Sequence, residues 1–579
     1  MTFVDCDANA TTSLFLSRSS ISTEGNKTGS WRFVRPVYQN KTAPCSAACP
    51  AGADIGRIEM LVAQGQFRAA WESLLMENPF PAVCGRVCFH PCEEACNRSN
   101  FDESIGIHRV ERWLGDHAIR EKFLFPLKTR NTNGKRIAIA GAGPAGLSAA
   151  YFLARLGYDC DVFESSGEPG GILRWGIPAY RLPASVLNQE ISRILELGVT
   201  LHCDTPVDDA FLAEAGDRYQ AIFVGCGHSR SMPLNIPGTE LAGDGLNFLY
   251  RVRNHEIDSV RGRIGVIGGG NTAIDVARTL IRLGAEVLLI YRRRRQDMPA
   301  FSHEVEMAVA EGIELLELAA PIHIESSGER FGVTLQRMKP GEQQLSGRCQ
   351  VVPDGQKTKT IHVDQVFMAI GAEAEDIWAP PASSQENVLR LSHCTVVQGR
   401  SPIIFGGDLT NPVQSVTDAI ASGKEAAMAI DLIITESVED IPGTLESCRV
   451  GKGPALSMDA FLMGERRNRS SRLVNYTDLN TDYFQNLEAA SPPALSPAQA
   501  RKSFDEIDGT FSARQAMDEA GRCFNCGICN GCDNCRLFCP ELAVTLEDDR
   551  TINLDYCKGC GVCVQECPRS AMALEEERS

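Results

Sequence analysis

The 579-residue sequence lacks any apolar run of the about eighteen residues that would carry a helix across a bilayer. It also lacks a basic excess. Its 57 Lys and Arg stand against 74 Asp and Glu, a formal charge of −17, which argues against a nucleic-acid-binding face. The opening stretch MTFVDCDANATTSLFLSRSS has no basic start and no long apolar core, so no secretory signal is visible. The ten histidines form no metal-spaced cluster. Cys160, Cys203, Cys226, Cys349, Cys394 and Cys448 are scattered singly, and without a C-x2-C pair among them the redox dithiol of a disulfide reductase is missing. Cys226, in GCGHSR, reads as a small core residue. What remains is ordinary globular composition, 43% apolar and 23% charged, with length for about three to five domains.

Cysteine is the residue present in excess. Sixteen of 23 fall in two groups, at 45–96 and 523–567. Clustered thiols without a secretory signal point to metal binding in a reducing cytoplasm, so a cytoplasmic location is expected. Cys529, Cys532, Cys535 and Cys539 fit C-x2-C-x2-C-x3-C closed by Pro540; Cys557, Cys560, Cys563 and Cys567 repeat it, closed by Pro568. This is the run of two-cluster bacterial ferredoxins, in which the fourth thiolate of each run crosses to the other [4Fe-4S] cluster. One cluster is therefore expected on Cys529, Cys532, Cys535 and Cys567, the other on Cys557, Cys560, Cys563 and Cys539. Structural zinc rarely uses C-x2-C-x2-C, and a zinc ribbon would leave cysteines over. Cys523 and Cys526 precede the run, fit no second frame, and are expected to be non-ligands.

Between the cysteine groups the pattern turns α/β. KRIAIAGAGPAGLSAAYFLARLGYDCDVFES reads as strand, glycine turn, helix and strand. Gly141, Gly143 and Gly146 permit a tight turn and close backbone approach, with the helix N-terminus facing a pyrophosphate. Glu164 follows at the end of the next strand, placed to bind a ribose hydroxyl. A second unit, GRIGVIGGGNTAIDVARTLIRLGAEVLLIYRR, carries Gly268, Gly270 and Ala273. Its second strand ends in Arg292 to Arg295 where an acid would favour NAD; an arginine there can meet a 2′-phosphate, which favours NADP, or stack on adenine. Two such sites in one chain predict a resident flavin and a visiting nicotinamide.

CSAACPAGADIGRIEMLVAQGQFRAAWESLLMENPFPAVCGRVCFHPCEEAC resembles the iron-sulfur domain of the glutamate synthase small subunit, shared with dihydropyrimidine dehydrogenase. The likeness continues through GGILRWGIPAYRLP, YRRRRQDMPAF and FGGDLTNPVQSVTDAIASGKEAA, over about residues 40–435. The resemblance implies a cluster on Cys49, Cys88, Cys92 and Glu111, with Cys45 or Cys96 as an alternative to the glutamate. The family's second cluster needs a C-x2-C pair upstream of Cys45. None is there, so only Cys45 and Cys96 survive of its four ligands; one N-terminal cluster is expected, three [4Fe-4S] clusters in all, and Cys84 is a spare thiol. It also implies FAD against Gly141, Gly143, Pro144, Ala145, Gly146, Glu164, Gly171, Arg181, Asp408 and Thr417. NADP(H) or NAD(H) would lie against Gly268, Gly270, Asn271, Thr272, Ala273, Arg292, Arg293 and Gly371.

The expected fold is multidomain: a helical Fe-S domain, two Rossmann-like α/β domains with the NAD(P) domain inserted in the FAD domain, and an α+β ferredoxin. The boundaries are a disordered or extended tail at 1–30, the helical domain at 31–125, FAD segments at 126–244 and 386–435 around an NAD(P) domain at 245–385, a linker with some helix at 436–515, and a self-standing ferredoxin at 516–579. The linker is too short for the β/α barrel of dihydropyrimidine dehydrogenase. The layout is similar to flavoprotein subunits of 2-oxoacid:acceptor oxidoreductases, and to the flavoprotein serving dissimilatory sulfite reductase. The sequence thus predicts an NAD(P)H:ferredoxin-type flavin oxidoreductase, a diaphorase subunit with catalytic partner subunits or ferredoxin as partner, and no nucleic acid or membrane. Alternatives are a glutamate synthase-type partner, or a docking and relay subunit without independent turnover. No acid, base or nucleophile is required of a side chain, because the cofactors carry the chemistry.

Overall fold

A computed structural model describes residues 25–124, 131–343, 349–375, 378, 387–464, 466, 468–546 and 550–577. Most of the expected N-terminal tail, residues 1–24, lies outside the described residues.

The first domain is built from short helices whose apolar residues recur at three and four. Ile55–Ala63, Phe67–Leu75, Pro81–Val87 and Ile107–Arg120 are helical. Trp71, Leu74, Val110, Trp113 and Leu114 are buried among them. Two of these helices touch almost backbone to backbone. A Cβ at Gly85 would collide with Arg112, and one at Gly115 would stand 2.5 Å from the Ala82 nitrogen. Glycine at both crossings brings Glu111 and Cys88 to one side of the pair.

A seven-stranded sheet follows, in the order Val388–Arg390, Thr395–Val397, Ile403–Phe405, Ala221–Val224, Arg136–Ala140, Asp159–Phe163, Thr200–His202. From Ile403–Phe405 onward the strands run parallel. Ile403–Phe405, Ala221–Val224 and Arg136–Ala140, at the middle of the sheet, are near-continuous apolar runs because helices cover it. A second sheet, all parallel, is ordered Glu314–Leu316, Glu286–Ile290, Arg263–Ile267, Gln365–Met368, Gly243–Asp244. All its strands fall in sequence between Ala221–Val224 and Ile403–Phe405 of the first sheet, so the second unit is inserted in the first. A long antiparallel ribbon, Ala319–Ser327, Arg330–Gln343 and Cys349–Val363, is appended to it.

The structure corrects the expectation of a linker at 436–515. Ile441, Leu445, Leu456 and Met458 enter the core of the seven-stranded sheet, while Val474, Leu479 and Phe511 enter the N-terminal helical core. Glu77, fully buried, accepts from Lys424 Nζ at 2.7 Å, the Met458 amide at 2.8 Å and the Ser457 hydroxyl, tying three segments together. The anchors are single apolar residues among Pro and Ser, a pattern with no period to read.

Nor does the ferredoxin stand apart. Its last strand, Met572–Glu576, pairs antiparallel with Val34–Tyr38, from Val34 against Glu576 to Tyr38 against Met572. Gly29 donates its amide to the Asp555 carbonyl at 2.8 Å. The helix Ala513–Gly521, which the expected boundary at 516 would cut, packs on Ile55–Ala63 and Ile107–Arg120 through Ala516 and Ala520.

Candidate functional site

The Gly141–Gly146 turn links the strand Arg136–Ala140 to the helix Pro144–Arg155. Gly141 has φ of +98°, and a Cβ at Gly146 would collide with the Gly141 carbonyl. At Gly143, which caps the helix, a Cβ would meet nothing within 4 Å. The turn is therefore closed behind and open in front, as a pyrophosphate at a helix N-terminus requires. Glu164 Oε2 accepts the Ala142 amide at 2.8 Å, and Oε1 accepts the Ser166 amide at 2.9 Å. The second turn repeats the device. Gly270 caps Asn271–Arg282 with open space before it, and a Cβ at Gly268 would collide with the Ala369 carbonyl.

Both units open on one cleft. Gly141, Gly143, Pro144, Ala145, Glu164, Gly171, Arg181 and Asp408 line it, with Asn271, Thr272 and Gly371 from the inserted domain. Burial raises the Asp408 carboxyl above its usual range. Gly146, Gly268, Gly270 and Ala273 are not part of that lining. Arg292 is exposed, and among the described residues no carboxylate pairs with it. Arg293 Nε is buried without a partner, whereas Arg294 is held by Asp297 at 2.7 Å.

Two residues expected against the flavin have other partners. Arg181 reaches the cleft wall, but its guanidinium is held by Asp275 at 2.7 Å and Glu304 at 3.4 Å on helices of the inserted domain. Thr417 Oγ1 lies 3.4 Å from Cys88 Sγ.

Thr417 belongs to a second cavity, lined by Cys49, Cys88, Cys92 and Glu111. The four residues expected to hold the N-terminal cluster thus surround one space. Burial pushes Glu111 up to about 8, against the opposing pull of the Asn78 amide, which donates to it at 2.8 Å. Asn78 carried no sequence signal; only the fold brings it there. The two cavities share a thin wall. Val87 and Phe89 face the cleft while Cys88 faces the cluster cavity; Val416 and Ala419 face the cleft while Thr417 faces the cluster cavity.

In the C-terminal module Cys529, Cys532, Cys535 and Cys567 surround one small cavity and Cys539, Cys557, Cys560 and Cys563 another. The crossing of the fourth thiols is present in the geometry. Each crossing sulfur accepts a backbone amide four residues on, Ala543 to Cys539 and Ala571 to Cys567, both at 3.3 Å. Such donors stabilise thiolate and cluster sulfur, so the residues fit iron-sulfur groups.

Cys523 and Cys526, expected outside any ligand set, pack into the helical core beside Cys45 and Cys96. Among the described residues only His90, Glu93 and His108 bring three ligand-type atoms within 4.8 Å of one another. No helix among the described residues is long and apolar enough to cross a membrane.

Residues 135–391 match the family described as pyridine nucleotide-disulphide oxidoreductase, residues 35–123 the dihydropyrimidine dehydrogenase domain II with a 4Fe-4S cluster, and residues 550–573 the 4Fe-4S binding domain. The chain is 32% identical over 522 residues to the NADP(+)-dependent formate dehydrogenase subunit beta of Moorella thermoacetica, covering 84% of this chain and 70% of that one. It is 35% identical over 405 residues to the NAD-dependent dihydropyrimidine dehydrogenase subunit PreT of Salmonella typhimurium, 68% of this chain and 92% of that one. To the NADPH-Fe(3+) oxidoreductase subunit beta of Geobacter sulfurreducens it is 36% identical, spanning 60% of this chain and about half, 53%, of the relative's length. The glutamate synthase [NADPH] small chain of Azospirillum brasilense is 30% identical, with 67% of this chain and 85% of that one covered. With both nucleotide turns opening toward one cleft and a thiol-lined cavity behind its wall, the chain belongs to the family of NAD(P)-dependent FAD and iron-sulfur electron-transfer oxidoreductases that includes the glutamate synthase small chain.

Proposed function

We propose that this chain is the electron-input subunit of a larger redox complex, exchanging electrons between NAD(P)H and [4Fe-4S] clusters through FAD. The observation that carries the reading is the shared wall: one helical turn at Val416–Ala419 and the segment Val87–Phe89 separate the nucleotide cleft from the Cys49, Cys88, Cys92 and Glu111 cavity. FAD, when bound, supplies the conversion between a two-electron hydride and single electrons. The chain's own residues bind and orient. Gly143 and the N-terminus of Pro144–Arg155 receive the flavin pyrophosphate. Glu164, locked by Ala142 and Ser166, meets its ribose. Gly270, Asn271 and Thr272 receive the nicotinamide dinucleotide, and Arg292 with Arg293 its 2′-phosphate, favouring NADPH. Cys49, Cys88, Cys92 and Glu111 hold the cluster nearest the flavin, and the two ferredoxin sites lie toward the partner. As partner we favour a 2-oxoacid:acceptor oxidoreductase, with ferredoxin-type centres as acceptor; the family resemblance and the attached ferredoxin support that choice.

The test is anaerobic titration of the FAD-loaded chain with NADPH and with NADH. Bleaching of the flavin absorbance and steady reduction of an artificial dye are expected, faster at low NADPH than at low NADH. A flavin that neither nucleotide bleaches would reduce the chain to a docking subunit.

A further inference from the structure

Of the cysteines outside the sites above, four come together from opposite ends of the chain. Cys45 lies in the short helix Pro44–Ala48, Cys96 caps the turn Asn97–Asn100, and Cys523 and Cys526 follow the helix Ala513–Gly521. The fold presses these segments together. Asn97 Nδ2 donates to Cys526 Sγ at 3.5 Å, and Arg98 Nη1 to the Arg522 carbonyl at 2.7 Å. Asn525 Nδ2 donates to the Gly56 carbonyl at 3.0 Å. The Gly527 carbonyl accepts the Lys41 amide at 3.4 Å, and Gly527, with φ of +75°, sits so close that a Cβ would be 2.5 Å from the Lys41 oxygen. Cys45 and Cys526 are buried in one apolar core, with Cys96 and Cys523 packed against it. The three other thiols stand close around Cys45.

We propose that Cys45, Cys96, Cys523 and Cys526 hold a fourth [4Fe-4S] cluster, the C-x2-C pair absent upstream of Cys45 being supplied in space by Cys523-x2-Cys526.

The hydrogen bonds around the sulfurs separate ligands from structural thiols. Cys160, Cys226 and Cys84 point their S–H at oxygens: the carbonyls of Tyr158 and Ala140, and Asn78 Oδ1. These are neutral thiols with a proton to place. Sulfurs of the sequence-read cluster sites do the reverse, accepting N–H groups: His90 to Cys88, Ala543 to Cys539, Ala571 to Cys567. Three of the four cysteines, Cys96, Cys523 and Cys526, follow the second pattern. Asn525 N donates to Cys523 Sγ at 3.4 Å, Asn97 to Cys526, and the amides of Ile105 and Arg98 face Cys96. An environment of donors is built for thiolates. Spacing rules out a single ion. No three of these sulfurs lie within 4.8 Å of one another, while a tetrahedral zinc at about 2.3 Å per sulfur needs them roughly 3.8 Å apart.

The site's place in the molecule gives the cluster work to do. Cys45 is buried in the same core as Cys92, which lines the flavin-side cavity. On the other side Arg569 lines the nearer ferredoxin site with Cys532 and Cys567, and its carbonyl accepts the Gly527 amide, next to Cys526, at 2.7 Å. Its Nε is buried without a partner. The fourth cluster is the step between the flavin-side cluster and the ferredoxin: it takes one electron from one neighbour and releases one to the other, its core alternating between 2+ and 1+. NAD(P)H is the two-electron source under the function proposed above, and each hydride sends two such electrons in succession.

Iron and acid-labile sulfide counts on the full chain, purified anaerobically, test this independently of reaction with NAD(P)H. About sixteen of each per chain are expected, from four sites. Cys523→Ser with Cys526→Ser should lose about four of them and keep its FAD, and Cys84→Ser should lose none. About twelve irons in the unaltered chain, one zinc per chain, or a double variant that keeps every iron would overturn the proposal. If the double variant loses its FAD and so is misfolded, the unaltered chain still decides, by its iron count and by the number of reduced clusters in integrated electron paramagnetic resonance.

Discussion

The turns at Gly141–Gly146 and Gly268–Ala273 share a backbone and differ in their surroundings. In the first, the third glycine is obligatory, since any Cβ there collides with the Gly141 carbonyl; in the second, Ala273 stands at the same position. The first is covered from behind. Ser148 Oγ donates to the Ile420 carbonyl at 2.8 Å, and a Cβ at Gly423 would collide with the Ala145 oxygen, so the helix Val416–Thr435 lies directly on it. Its strand end holds an acid, Glu164, locked by the turn's own amide. The second turn's strand ends in an exposed Arg292 and a half-buried Arg293. One backbone geometry thus stands in two settings, and the difference lies in the cover and in the charge at the strand end.

Gly146→Val should break the first turn outright. The chain should purify without flavin absorbance, while Ala273→Gly, which only adds backbone freedom, should cost about 1 kcal/mol of stability and leave flavin bound. Full flavin content in Gly146→Val would show that the two turns are not distinguished by packing.

Arg181→Ala sharpens the comparison at the seam between the two units. It strips Asp275 and Glu304 of a buried partner, and removing one member of a buried pair costs about 3–5 kcal/mol. The loss should depend on pH. Burial already pushes Asp275 up to about 6, with Arg181 opposing. A carboxyl whose folded value is raised binds protons on folding, so stability falls as pH rises through that value. Without Arg181 the folded value climbs further, and the urea midpoint should drop more at pH 8 than at pH 5.5. An unchanged midpoint with lost FAD would return Arg181 to the flavin.

Arg292→Glu tests the charge at the second strand end. A phosphate bond lost and a repulsion gained should cost about 2 kcal/mol, so KM for NADPH should rise more than tenfold with KM for NADH little changed. Equal effects would mean that the arginine stacks or is merely solvated.

The smallest effect is expected from ending the chain after Gly527. This keeps the helix Ala513–Gly521 and Cys523 and Cys526 while removing both ferredoxin sites, and the rate of NADPH-driven dye reduction should stay as it was. The strand Val34–Tyr38 loses its partner, so its protection from proteolysis should fall. A matching fall in dye reduction would place the electron exit in the ferredoxin even for small acceptors.

Cysteine spacing alone anticipated which thiols line each cavity of the C-terminal module, down to the crossing of Cys539 and Cys567, because a C-x2-C-x2-C loop sets its own geometry over a dozen residues. The glycine turns were legible for the same reason: strand, turn and helix are contiguous. Thr417 was not. Its place in the FGGDLTNPVQSVTD block pointed to flavin, but one helical turn presents residues to both sides, and its hydroxyl faces Cys88. The 436–515 span was opaque because its anchors, Ile441, Leu456, Val474 and Phe511, follow no period and are apolar to a purpose only against cores elsewhere in the chain.

The sequence by itself determined the local machinery: two nucleotide turns, an acid after one and arginines after the other, and two ferredoxin runs. Tertiary structure alone decided what meets across long separations. Glu111 comes to Cys88 because Gly85 and Gly115 let two helices touch, and Cys523 and Cys526 come to Cys45 and Cys96 because the helix Ala513–Gly521 buries Ala516 and Ala520 in the N-terminal core. Spacing encodes a loop's shape; burial of apolar surface, which has no direction along the chain, chooses the loop's neighbours.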